Sequence, residues 1–184
     1  INNKGGLHNR VTHQIKLSPF TLGECEEFLK AKNFTMDRFE IAQFYMVFGG
    51  IPYYLKLLDK GESLAQNVDR LLFSEDGELR NEFHNLYHAL FRNSEKYIAI
   101  VEVLAQKKKG ITRNTLIKEL SVESSGGVSK ALDDLENCGF IRRYSPFGKK
   151  TKDELIQLVD FYTLFYFRFL AKRAKGRRNQ WLQI

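Results

Sequence analysis

Residues Ser94 to Lys150 read SEKYIAIVEVLAQKKKGITRNTLIKELSVESSGGVSKALDDLENCGFIRRYSPFGKK, and this stretch decides the fold. Ile98, Val101, Leu104 and Ala105 recur at helical spacing, and Ser94 is placed to cap their helix. Lys107 to Lys109 give a basic last turn that suits the helix dipole, and Gly110 a left-handed stop. Thr112 caps a short second helix with Leu116, Ile117 and Leu120 on one side. Ser121 to Gly127 is expected to turn. A third helix then carries Val128, Ala131, Leu132, Leu135 and Cys138 inward until Gly139 ends it. FIRRYSPFGKK predicts a strand, a Pro-Phe-Gly turn and a basic loop, with DELIQLVD as the returning strand. Three helices and a two-stranded wing make a winged helix-turn-helix.

Working outward, residues 1–20 predict a Gly-rich loop and one strand, in which Val11, His13 and Ile15 alternate with Thr12, Gln14 and Lys16. Thr21 and Glu24 form a capping box, with Phe20 placed to staple onto Cys25; the helix runs to about Asn33. Met36 or Asp37 opens the next helix, which ends at Gly49-Gly50. Pro52 sits in the first turn of a third, expected over Tyr53 to Lys60, where its missing amide does no harm. Residues 62–92 predict one or two helices broken at Ser74 to Gly77, the second striped by Leu79, Phe83, Leu86, Tyr87, Leu90 and Phe91. The fold class is mainly α: a lid-like helical bundle, then the winged unit, then an exit helix.

The chain has 184 residues, of which 43% are hydrophobic, enough to build a core in one domain or two small ones. A net charge of +7 permits an acidic partner such as nucleic acid without requiring one. Cys25 and Cys138 lack metal-ligand spacing and are expected to be buried, reduced thiols of a cytoplasmic protein. FYTLFYFRFL is too short to span a bilayer and carries Arg168, so it is read as a core helix or interface, and no membrane partner is expected. The first residue is Ile1 and the last stretch is GRRNQWLQI; the expectation is a fragment of a larger protein.

The segments GGLHNRVTHQIKLSPFTLGECEEFL, YMVFGGIPYYLKLLDKGESLAQNVDRLLF, NEFHNLYHALF and SGGVSKALDDLENCGFIRRYSPFGKK together resemble the STAND-like, archaeal-type AAA+ ATPases. The resemblance covers about residues 5 to 170. It implies a P-loop ATPase core, a helical lid, a winged helix and a C-terminal domain similar to PD-(D/E)XK nucleases. On that pattern residues 1–20 are the end of the ATPase core, 21–92 the lid, 93–160 the winged helix, and 161–184 an exit helix and basic tail. The core and the nuclease-like domain are then partners within the same protein. ATP and Mg would be bound by the intact protein and not by this chain, which contains no G-x-x-x-x-G-K-[ST] and is not expected to be an enzyme.

The same resemblance gives Gly49, Gly50 and Pro52 a nucleotide-facing role, as the GxP element that opens a lid helix. The bland reading is a helix junction that needs these residues for geometry alone. Arg10 is either a cation for a γ-phosphate across an interface or a solvated loop residue. For nucleic acid, the reader helix offers Ser124, Ser125, Ser129 and Lys130, but Asp133, Asp134 and Glu136 follow, which suits a polyanion poorly. The wing is better, with Arg142, Arg143, Lys149, Lys150 and Lys152; Lys107 to Lys109 and Arg113 add a second basic spot. Wing-first or nonspecific DNA contact is therefore expected over base readout, beside a domain-docking role. The tail from Lys172 to Arg178, with Trp181, is either a phosphate-backbone contact or a solvated end. His84 and His88 share a helical face at metal-ligand spacing, yet no third ligand accompanies them. His8 and His13 have no partner in the sequence.

Two functions follow. One is the lid and winged-helix portion of a STAND-like AAA+ ATPase. The alternative is a stand-alone winged-helix DNA-binding regulator. A nuclease fragment is a third class, and the missing carboxylate-lysine motif speaks against it.

Overall fold

Side-chain caps set where most of the helices begin. A computed structural model describes residues 15–121, 125–148 and 154–171. The first helix, α1 (Leu22–Ala31), starts on the Thr21–Glu24 capping box, and α2 (Arg38–Phe48) on a second box made by Asp37 and Glu40. Each box satisfies two backbone amides that the first turn leaves without partners. The Phe20 ring packs on Phe28, 5.7 Å away. Residues Val11 to Gln14 of the expected first strand lie outside the described residues; Ile15 and Lys16 are exposed and not in a strand.

After Gly49-Gly50 comes α3 (Pro52–Lys56), with Pro52 in its first turn. It stops four residues earlier than the expected end at Lys60. The cause is Asn67, whose fully buried amide takes over the backbone of Asp59 and turns the chain. Ser63 caps α4 (Leu64–Val68), which continues as a wider π turn over Asp69–Phe73. Ser74 ends that helix, as expected, and α5 (Glu82–Leu90) follows. Phe83 and Tyr87 of α5 are buried, as are Leu79 before the helix and Phe91 at its C-cap; Leu86 is half-buried, and Leu90, expected in the same stripe, is exposed at the helix end.

The next helix, α6 (Ser94–Ala105), begins one residue before the expected position: Asn93 occupies the cap site without a side-chain bond. Ser94 is instead buried in the first turn, its hydroxyl 2.7 Å from His88 Nδ1. Gly110 takes the left-handed conformation, φ +75°. Thr112 caps α7 (Arg113–Leu120) as its position predicts. The turn after Ser121 is shorter than expected, because α8 (Ser125–Asn137) already includes Gly126 and Gly127. Val128, Ala131, Leu132 and Leu135 are buried. Cys138 is not: α8 ends at Asn137, so Cys138 leaves the apolar face and is exposed.

The strands are β1 (Ile111–Thr112), β2 (Ile141–Tyr144) and β3 (Leu155–Leu158). They form a three-stranded antiparallel sheet in the order β1-β3-β2, with Ile141 opposite Leu158 and Ile111 opposite Ile156. The sequence predicts the β2–β3 pair; β1 is the addition, too short to show a period. Finally α9 (Phe161–Phe165) is capped by Asp160 and widens into a π turn over Tyr166–Leu170. The protein is thus mainly helical with a small antiparallel sheet. No helix among the described residues is long and apolar enough to cross a membrane.

A single apolar cluster runs from Cys25 in α1 to Phe165 in α9. The last helix, placed by the sequence at the exit of the fold and read there as a core helix or interface, lies within this cluster. Tyr162 reaches Tyr54 of α3 at 5.3 Å between rings, and Tyr166 stacks on Phe83 of α5 at 3.8 Å. Tyr87 of α5 meets Phe140, at the base of the sheet, at 5.0 Å.

Candidate functional site

Two surfaces collect the residues singled out from the sequence. The first is the junction between α2 and α3. Gly49 has φ +63°, a conformation that side chains resist, and both glycines are buried. The Gly50 carbonyl accepts a 2.7 Å hydrogen bond from the Phe20 amide, and a Cβ on Gly50 would collide with the Phe20 carbonyl. Both glycines therefore serve the geometry of the junction, Gly49 by its positive φ and Gly50 by letting the Phe20 backbone pass against it. Pro52 and Tyr53 face solvent, Tyr53 at 53% exposure, whereas Tyr54 turns in. The Tyr54 hydroxyl donates to Glu82 at 2.8 Å. Burial, with Glu82's hydrogen bond and charge, pushes that hydroxyl far above its ordinary range. Arg10 lies outside the described residues.

The second surface is the basic face of α7, α8 and β2. Ser125 opens α8. Ser129 accepts from Arg113 through Nε at 3.2 Å and Nη2 at 2.9 Å. Lys130 pairs with Asp134 one turn on, at 2.8 Å, and Tyr97 of α6 donates to the same carboxylate at 2.7 Å. Lys130's bond, then Tyr97's, hold the Asp134 carboxyl below its usual range, and burial partly opposes them. In return burial, and then Asp134, push the Tyr97 hydroxyl up to about 12.

Arg143 is engaged the same way, with Asp133 at 2.6 Å and Glu136 at 3.5 Å. Glu136 also accepts from the Arg143 amide at 3.1 Å, which covers part of the outer edge of β2 against strand addition. Asp133, Asp134 and Glu136 are therefore each paired within the protein. Arg142 differs. Its Nε donates to Gln157 at 2.9 Å and its guanidinium lies 5.4 Å from the Tyr144 ring centre. Both partners are neutral, so its exposed charge persists. Lys108 and Lys109 are exposed beside it, their backbone carbonyls held by Gln157 and Tyr144. Lys107, in contrast, pairs with Glu119 at 2.9 Å.

Tyr144 and Gln157, the neutral partners of Arg142, were not singled out from the sequence. The signal for Tyr144 was present, since it stands two residues after Arg142 on one strand face. Gln157 needed the β2–β3 register, in which it faces Arg142. Ser124, Lys149, Lys150, Lys152, the tail from Lys172 with Trp181, His8 and His13 lie outside the described residues. His84 and His88 do not converge: His84 Nε2 meets the Tyr166 hydroxyl at 3.2 Å, while His88 meets Ser94. Among the described residues no cluster of three or more His, Cys, Asp and Glu could hold a metal. No family model, curated protein or solved structure matches the chain.

Proposed function

We propose that the chain is the lid and winged-helix portion of a STAND-like AAA+ ATPase of the cytoplasm. In this reading it couples the nucleotide state of a P-loop core elsewhere in the protein to DNA or to a partner domain. The observation that carries the reading is α3: Pro52 and Tyr53 face outward, while Tyr54 is fixed to Glu82 and to Tyr162. A contact made on Pro52 is thereby close to the core shared with the sheet. The order α6-β1-α7-α8-β2-β3 also suits a winged helix.

The residues here fit only part of a nucleotide site. Pro52 and Tyr53 offer an apolar surface for a base or sugar, and the Gly50 carbonyl is already taken by Phe20. The phosphates and Mg fall to the core. Its ATP supplies a phosphate bond to be hydrolysed; this chain's part is to bind and report. Pro52→Ala in the intact protein is expected to weaken nucleotide binding several-fold, and unchanged affinity would contradict the assignment.

The stand-alone DNA-binding regulator rests on Arg142, whose charge no carboxylate among the described residues neutralises. It predicts salt-dependent duplex binding by this chain, weakened by Arg142→Ala. Absence of binding even at low salt would end that reading.

A further inference from the structure

An open cleft of about 450 Å³ lies between the C-terminal end of α1 and the turn that joins α3 to α4. That volume falls among those of ligand sites. Lys32, Lys56 and Lys60 line it and are exposed; Phe34 and the buried Leu55 and Leu58 give it an apolar side. None of these residues belongs to the junction or the basic face.

The turn beneath the cleft is built in advance of any ligand. The Asn67 side chain is fully buried. Its amide nitrogen faces the carbonyls of Asp59, Glu62 and Ser63 at 3.0, 3.1 and 3.2 Å. Its oxygen accepts from the Asp59 amide at 2.7 Å and from Arg70 Nη2 at 2.8 Å. Arg70 also donates to Glu62 at 2.8 Å and to the Leu57 carbonyl at 3.1 Å. The turn is thus pinned from its inner side, which fixes the backbone that carries Lys56 and Lys60.

The charges do not cancel. Arg70 neutralises Glu62, and Asp59 Oδ1 accepts from the Gly61 amide at 2.8 Å. Three lysines then face one carboxylate, Asp59, and none of the three forms an ion pair among the described residues. Like charges gathered in one concave site repel each other and raise the local concentration of counter-ions. Lysine ammonium groups meet phosphate as compact point charges.

We infer that this cleft binds a phosphate-bearing anion, seated between Lys32, Lys56 and Lys60 against the Phe34 side. The phosphate comes either from a free polyphosphate or from a nucleic-acid backbone. The site does not depend on the nucleotide-lid reading, since Pro52 and Arg142 take no part in it.

The test is a calorimetric titration of the chain with tripolyphosphate at low salt. Replacing Lys32, Lys56 and Lys60 together by Gln is expected to weaken binding by about tenfold or more. Their joint replacement by Arg keeps it within about threefold. Removing equal charge elsewhere, at the exposed Lys16, Arg92 and Lys118 by joint replacement with Gln, leaves it within about twofold if the cleft is the site. Equal weakening by both Gln triples means diffuse attraction and overturns the inference, as does the absence of binding to the native chain. A second titration adds a short DNA duplex. Displacement of tripolyphosphate by duplex, with duplex affinity lost in the cleft triple, assigns the phosphate to a nucleic-acid backbone. Tripolyphosphate binding that duplex does not displace assigns it to a free polyphosphate.

Discussion

Asp160 shows how one side chain can meet two opposed demands. It caps α9, its Oδ2 accepting from the Thr163 amide at 2.7 Å, and burial pushes its carboxyl above the ordinary 3.8 against the pull of that bond. With the folded value raised, the protonated form favours the folded state. This contribution is complete below 3.8 and is lost as pH rises through the raised folded value. Asp160→Asn keeps a capping oxygen and removes the charge. It is expected to raise the urea midpoint at pH 7, with a gain that shrinks as the pH is lowered toward 3.8; a constant loss at every pH would contradict this. Nothing in the sequence marked Asp160 as half-buried, because the tertiary packing around α9 decides that. Gly49 and Gly50 were legible as a chain break, but the reason for Gly50, the passage of Phe20, lies thirty residues upstream.

Among the elements, those governed by local chemistry were the legible ones. The Thr21–Glu24 box, Pro52 in a first turn, Thr112 as a cap and the stop at Gly139 all stand where the sequence places them. Errors arose where a distant group overrides the local signal. Residues Leu57 to Lys60 keep a helical pattern, yet Asn67 claims the backbone of Asp59 and Arg70 the carbonyl of Leu57. Asn67→Ala leaves the Asp59 amide and the Arg70 guanidinium each short of a partner in a part-buried site. A cost of about 2–3 kcal/mol in chemical denaturation follows. A loss below about 0.5 kcal/mol would show that the turn holds without it. Two-residue β1 was not foreseen for another reason: a strand that short has no period, and only its pairing with β3 defines it. The order of helices and strands over this region was readable because Gly110, Thr112 and Gly139 punctuate it. The basic face was only half readable, since its composition gave the cations but not their partners. Pairing of Lys130 with Asp134 and of Arg143 with Asp133 and Glu136 leaves Arg142, Lys108 and Lys109 as exposed cations of this face with no carboxylate partner among the described residues.

At the scale of the whole molecule, the single apolar cluster joins the helical region to the sheet through α9. Tyr87 links the two again, sharing a 3.3 Å hydrogen bond with Thr163 while its ring packs on Phe140. Thermal unfolding is therefore expected to be one cooperative transition, and Tyr162→Ala to lower it without splitting it. Two resolved transitions, with only one shifted, would refute that connection. The same continuity gives the proposed function its physical basis, for a displacement of α3 cannot leave Tyr162 and the sheet untouched. The most direct measurement is hydrogen exchange on the native gene product with and without a non-hydrolysable ATP analogue. The account predicts slower exchange at Gly49 to Tyr54, accompanied by a change in α9. Unaltered exchange across both segments at saturating nucleotide would contradict it.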